Sequence, residues 1–188
     1  MASYPYFVAP SYDSALMKHM LRQHLSTLTV QTPGRGLIEI TREVRSNIAQ
    51  SRIQQGLLTL FIRHTSASLL IQENADPDVR GDLERFFARL VRNGDVLFQH
   101  RAEGEDDMPA HVRSALTATQ LCIPIVGGSL ALGTWQGVYL WEHRFRGHAR
   151  ELVLHVVGEG ASAPAPDSPR QLKACTEAES PPTQVESL

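Results

Sequence analysis

Gly56 to Ile71 reads GLLTLFIRHTSASLLI. Leu57, Leu58, Leu60, Phe61 and Ile62 form a dense apolar run, which predicts a strand covered on both faces. The run turns polar at His64, Thr65, Ser66 and Ser68, then apolar again from Leu69 to Ile71. A polar island between two buried strand segments has two readings. Ser and Thr hydroxyls bond local backbone in turns, or the island faces a ligand.

Strand and helix signals continue on both sides of this stretch. Upstream, Leu25 to Val30 alternates as a strand. Pro33-Gly34-Arg35-Gly36 reads as a turn, and Leu37 to Ile40 as the returning strand of a hairpin. Thr41 is expected to cap a short helix to about Gln50. Downstream, Asp76-Pro77 is a helix start. Val79, Leu83, Phe86, Phe87, Leu90 and Val91 then give an apolar face expected to pack on a sheet. Asn93-Gly94 ends it. Gln120 to Val126 and Ser129 to Leu132 flank a Gly127-Gly128 turn. Val138 to Phe145 alternates, and Leu152, Leu154 and Val156 alternate against Val153, His155 and Val157.

These signals predict an α+β fold for residues 21–158: one compact domain, a mainly antiparallel sheet sandwich with a few packed helices. Residues 1–20 read as a loose N-terminal extension. Residues 159–188 hold five of the eleven prolines, with Ala, Ser and Glu between them, and are expected to be disordered.

Composition removes several function classes. The net charge is -2, so neither nucleic acid nor an anionic membrane is the default partner. No apolar run approaches the roughly 18 residues of a membrane span, and the N-terminus lacks signal-peptide character. The two cysteines, Cys122 and Cys175, suggest no disulfide scaffold, which points to the cytoplasm. There is no Walker loop, G-x-G-x-x-G, H-E-x-x-H or C-x-x-C.

The chemistry concentrates in His100 to Ser114, HRAEGEDDMPAHVRS. Met108-Pro109 opens a helix to about Ala118, with Asp107 as its cap. Asp107 and His111 are then four apart on one face. His100 and His111 could supply two ligands to a divalent metal, and His64 a third, leaving a position open for water. Zinc or another transition metal suits imidazole and carboxylate together. A solvated acidic loop with a helix cap is the plainer reading. Gly133 to Gly137 carries Thr134 and Gln136 on a loop that either cradles phosphate or makes a tight strand connection. Arg144, Arg146 and Arg150 either bind phosphate or line a solvated strand end. Trp135 and Trp141 read as packing residues, and His148 and His155 as structural.

Three stretches, HTSASLLIQENADPDVRGDLERFF, EGEDDMPAHVRSAL and LALGTWQGVYLWEHR, closely resemble the YjbQ-type family, described as secondary thiamine-phosphate synthase. The resemblance spans Leu25 to Glu159. It implies a sheet sandwich, a cytoplasmic homotrimer, and an activity that joins a pyrimidine methyl pyrophosphate to a thiazole phosphate with release of pyrophosphate. Its motif positions fall on His64, Thr65, Ser66, Glu73, Asn74, Asp76, His100, Asp106, Asp107, His111, Thr134, Gln136, Glu142 and His143. Two positions depart from the pattern: Arg101 stands where an acid is usual, and Arg113 where a Lys is usual.

Three functions follow as expectations. In a synthase, Asp106 and Asp107 would hold a metal, with Mg²⁺ suited to pyrophosphate. Thr65, Ser66, Arg113, Thr134 and Gln136 would touch phosphate. In a metal-dependent hydrolase of a small phosphorylated or amide metabolite, His64, His100 and His111 would bind a transition metal. Asp107 or Glu142 would then serve as base, beside the motif residues Asn74 and His143. The third is a trimeric module that binds metal or phosphate without turnover. In each case the partner is a small molecule, not nucleic acid or membrane.

Overall fold

The computed structural model describes residues 21–160, so the N-terminal extension and the tail from 161 onward, with Cys175, lie outside the described residues. Two antiparallel sheets face each other. In chain order the elements are β1 (Leu21–Gln31), β2 (Gly36–Glu39), α1 (Thr41–Ser51), β3 (Ile53–Ile62), β4 (Ala67–Glu73) and α2 (Pro77–Leu90). Then come α3 (Asp107–Leu116), β5 (Gln120–Val126), β6 (Ser129–Leu130), β7 (Gln136–Glu142) and β8 (Ala149–Gly160). The larger sheet runs β1-β8-β3-β5-β6 and the smaller β2-β7-β4. The α+β sandwich expected from the sequence is present. The last strand continues to Gly160, two residues past the expected boundary.

The core fills the space between the sheets. Leu58, Leu60 and Ile62 of β3 meet Leu152, Leu154 and Val156 of β8, with Leu69, Val138 and Leu140 opposite. Each set sits at alternate positions, which places it on one sheet face. Val44 and Ile48 of α1, one helical turn apart, close one side.

Several expectations fail for physical reasons. β1 and β2 are not a hairpin: β1 pairs with β8, and β2 with β7 in the other sheet. The polar island between β3 and β4 is a crossover of the same kind. β3 is buried on one face only, with Leu57 39% and Phe61 43% exposed on the other. No residue of α2 is fully buried; Phe87 rests on Trp141 at 4.8 Å between ring centroids, while Phe86 and Leu90 stay exposed. Asp76 does cap α2, accepting from the Asp78 N–H at 2.8 Å. α3 starts at Asp107, with Asp106 in the cap position and no side-chain cap bond.

Three connections cross between the sheets at the same end: 32–35, 63–66 and 143–148. They bond to one another. Thr32 N–H donates to the His148 carbonyl (2.9 Å), His143 N–H to the Ser66 carbonyl (3.3 Å), and Arg63 N–H to the Glu151 carbonyl (3.1 Å). α3 joins this end through Ser114, whose hydroxyl donates to the Ala67 carbonyl at 3.0 Å. No helix among the described residues is long and apolar enough to cross a membrane.

At the far end of β8, Gly56 faces Gly158 across the β3–β8 ladder. A Cβ at position 158 would lie 2.1 Å from the Gln55 carbonyl oxygen and 2.6 Å from Gly56 Cα. Only backbone movement relieves such a clash. Gly158→Ala is therefore expected to cost about 1–3 kcal/mol, read as a lower urea midpoint. An unchanged midpoint would refute the close approach.

Candidate metal centre

The N-terminal turn of α3 brings three potential ligands together. His100 Nε2 lies 2.8 Å from Asp107 Oδ2, and His111 Nε2 lies 3.5 Å from the same oxygen. One ligand atom each from His100, Asp107 and His111 falls within 4.8 Å of the others. Asp107 and His111 meet because they are four apart on a helix. His100 arrives on the 91–106 loop, which doubles back through Gly94 and Gly104, both at positive φ. Arg101 holds that loop: its guanidinium donates to the Phe98 carbonyl at 2.7 Å and the Val96 carbonyl at 3.3 Å.

The ring of His111 has a fixed direction. Its Nδ1–H donates to the Thr65 carbonyl at 3.0 Å, since a carbonyl can only accept. Nε2 faces Asp107 Oδ2 and is the nitrogen left for a metal. Asp107 is only 2% exposed. Its other oxygen, Oδ1, is bound by Arg144, which also donates to Asp106 Oδ2 (3.1 Å) and the Glu103 carbonyl (2.8 Å). Burial pushes the Asp106 carboxyl up. Bonds from the Phe145 N–H and from Arg144 outweigh this and hold it below the usual carboxylate range.

Glu142 lies in the buried middle of the three crossovers. Its oxygens accept from Thr32 Oγ1 (2.8 Å), Arg144 N–H (3.0 Å), and Arg150 Nε (2.7 Å) and Nη2 (2.5 Å). Burial opposes its charge, yet these donors, Arg150 first, keep its pKa lowered. Both oxygens are occupied, so the expected role of Glu142 as a catalytic base is corrected to that of a structural anion. His143 is fully buried, bonded through Nε2 to Ser68 Oγ at 2.9 Å. Burial, with Arg113 adding, pushes its pKa down to about 3. It does not join the histidine group, and its expected catalytic role is corrected to a neutral core residue.

His64 also stands outside the group. Its Nε2 accepts from the Glu151 N–H at 2.9 Å, so that lone pair is committed to backbone. Burial, then Arg150, lowers its pKa. Asp107, expected as a base, is the third member of the group with His100 and His111. Arg113 is 1% exposed, and its Nη2 donates to the Val91 carbonyl (2.6 Å) and Asn93 Oδ1 (3.0 Å). It faces the interior, away from any open phosphate site, and burial, then Arg35, pushes its pKa down to about 10. Gln136 uses its side-chain oxygen to accept from Gly133 N–H at 2.8 Å, closing its own loop.

The ladder between β4 and β7 pairs Ala67 with Glu142 at one end and Glu73 with Gln136 at the other. Six strand steps of about 3.4 Å separate these ends by about 20 Å. Asn74, Thr134 and Gln136 therefore lie at the opposite end of the domain from His111, Thr65 and Ser66. Arg144 and Arg150, expected as phosphate ligands or a solvated strand end, form the polar hub. The sequence carries one signal for this: Arg150 shares strand parity with Leu152, Leu154 and Val156, and Glu142 with Val138 and Leu140. Two inward charges of opposite sign ask for each other.

The neutral, buried state of His143 has a pH signature. Its folded pKa is depressed to about 3 from 6.5, so between those values the unfolded chain binds the extra proton. Stability must fall as pH drops below 6.5, by up to about 1.4 kcal/mol per pH unit. His64, also lowered, adds in the same direction. Urea unfolding between about pH 5 and pH 7.5 is expected to show this slope, and His143→Gln to flatten it. Equal slopes in both proteins would contradict the assignment.

The family model described as "UPF0047 protein YjbQ-like" matches residues 26–159. The UPF0047 protein sll1880 of Synechocystis is 55% identical over 138 residues, covering 73% of this chain and 94% of that protein. The UPF0047 protein YjbQ of Escherichia coli O157:H7 is 44% identical over 135 residues, covering 71% and 96%. The crystal structure of a conserved hypothetical protein, TT1486, from Thermus thermophilus superposes with a TM-score of 0.62 at 36% identity, covering 68% of this chain and 97% of that one. A YbjQ-like protein of unknown function from Sulfolobus solfataricus P2 gives 0.69 at 20% identity, covering 74% and 100%, and supports the fold alone. None of these names specifies a reaction. With two sheets, three helices and the three motif stretches in this arrangement, the chain belongs to the YjbQ/UPF0047 family.

Proposed function

We propose that this chain is a metal-dependent hydrolase of a small phosphorylated or amide metabolite, with His100, Asp107 and His111 as metal ligands. The observation that carries this reading is the convergence of two imidazoles and a carboxylate within 4.8 Å. That donor set fits zinc or another transition metal better than Mg²⁺, which prefers oxygen. A bound zinc would supply a water acidified toward neutral pH. The protein's part is positional: Arg144 occupies one oxygen of Asp107, and the Thr65 carbonyl directs His111. Beside His111 lies a hollow of about 330 Å³ lined by His64, Thr65, Ser114, Ala115 and Thr119. Beside His100 lies a second of about 230 Å³, with Phe98, Arg101 and Met108 on its walls. The larger of the two reaches the size of a small-metabolite site.

The thiamine-phosphate synthase reading implied by the resemblance has less support within one subunit. Its Mg²⁺–pyrophosphate platform would be Asp106 and Asp107, but Arg144 binds one oxygen of each, and the imidazoles of His100 and His111 lie against the other oxygen of Asp107. Arg113 is buried, and the Thr134–Gln136 loop lies at the other end.

Calorimetry with zinc on metal-stripped protein tests the centre. His100→Ala, Asp107→Asn and His111→Ala are each expected to abolish tight binding, and His155→Ala to leave it unchanged. Zinc retained by all three variants would sink the metal reading. Turnover of a panel of phosphomonoesters and amides then separates a hydrolase from a binding module. Pyrophosphate release from the pyrimidine and thiazole pair, unaffected by the three variants, would favour the synthase.

We also propose a homotrimer, as the resemblance implies. Leu25, Leu57, Phe61 and Val126 are 39–68% exposed on the outer face of the larger sheet, and identical copies would cover them. Light scattering at micromolar concentration is expected to give three times the chain mass; a monomer mass would refute this.

A further inference from the structure

The turn between β3 and β4 is held to β8 by the bond from the Arg63 N–H to the Glu151 carbonyl and by two side-chain pins, one on each side of Thr65. On one side, His64 Nε2 accepts from the Glu151 N–H at 2.9 Å. On the other, Arg150 Nη2 donates to Ser66 Oγ at 3.1 Å and to the Ser66 carbonyl at 3.4 Å. Arg150 is itself locked by the buried Glu142 through Nε and Nη2. The residue between the two pins is Thr65, whose carbonyl receives the His111 Nδ1–H. That one bond calls for a proton on Nδ1 of His111 and turns Nε2 toward Asp107.

We propose that His64 and Arg150 are positioning residues for His111. They pin the turn that presents the Thr65 carbonyl, so that His111 offers the lone pair of Nε2 to the site. This assignment rests on the reading of His111 as a ligand only for its effect on metal; its effect on the imidazole itself is independent. His64 then stands beside the hollow without being a ligand, since its own Nε2 lone pair is spent on the Glu151 N–H. Arg150 acts at one remove, through Ser66. Loss of such outer partners typically weakens metal binding about 10–100-fold, against the full loss that follows removal of a ligand.

The experiment is ¹⁵N NMR of the histidine side chains in the full-length, metal-stripped protein, with zinc calorimetry on the same samples. Wild-type His111 is expected as the Nδ1–H tautomer. His64→Leu removes the acceptor for the Glu151 N–H at a partly buried position. It should shift His111 toward a mixture of tautomers and weaken zinc about 10–100-fold. His64→Gln keeps an acceptor oxygen and should restore both readings. Ser66→Ala cuts one Arg150 contact without unpairing a buried charge, and should move both in the same direction by less.

His111 tautomer and zinc affinity unchanged in His64→Leu would overturn the proposal. So would zinc loss in His64→Gln as complete as in His111→Ala, which would make His64 a ligand. Failure of the metal reading looks different: wild type binds no zinc, yet His64→Leu still shifts the His111 tautomer. That outcome retains the positioning role and discards only the metal.

Discussion

The buried pair of Glu142 and Arg150 is the constraint on which this end of the molecule depends. Glu142 is fully buried and Arg150 is 3% exposed. An isolated charge at such depth would be costly, and here the two meet in paired bonds, with both Glu142 oxygens in use. The pair also explains why three sheet-crossing connections share one end. Thr32 belongs to the first, Ser66 to the second, Arg144 to the third, and each bonds to Glu142 or Arg150. Removing one partner alone would strand the other, so the cost falls on all three crossovers at once.

From this hub the order passes outward to the helix α3. Arg144 is the link: its backbone N–H donates to Glu142 while its guanidinium binds Asp106 and Asp107. The cap position of α3 is thereby tied to the crossover rather than to its own first turn. This accounts for a helix start that lacks a side-chain cap bond although Asp106 stands there. Its carboxylate is spent on Phe145 and Arg144.

Much of this is legible in the sequence, and the rest fails for identifiable reasons. Alternation along β8 marks its inward face, because strand geometry fixes parity; β7 is buried on both faces. The Asp107–His111 pair is legible for the same kind of reason: helix geometry converts a spacing of four into contact. The β1–β2 hairpin is a misreading because Pro33-Gly34 signals a turn without saying which sheet follows. Only the bond of Thr32 to His148, 116 residues away, decides that. The partner of His64, 87 residues on, is equally invisible. Grouping Thr134, Gln136 and Asn74 with the histidines fails because motifs carry no register, and β4 sets their ends about 20 Å apart. The apolar stripe of α2 is real, but periodicity cannot say whether its own sheet or another surface covers it.

The way α3 is held also bears on what kind of metal centre this would be. Structural zinc sites supply folding energy outright, and their ligands have little else to hold them in place. Here Asp107 is fixed by Arg144, His111 by the Thr65 carbonyl, and the helix by Ser114 on β4. Protein contacts alone set the positions of two of the three ligands. His100 is different: it comes from a loop, and its side chain is 49% exposed. A rigid pair with one accessible, loop-borne ligand is the arrangement of a site that exchanges with solvent. On the proposed metal reading, the centre would be one built for chemistry or for reversible binding, and Glu142 and Arg150 hold this end of the fold without it.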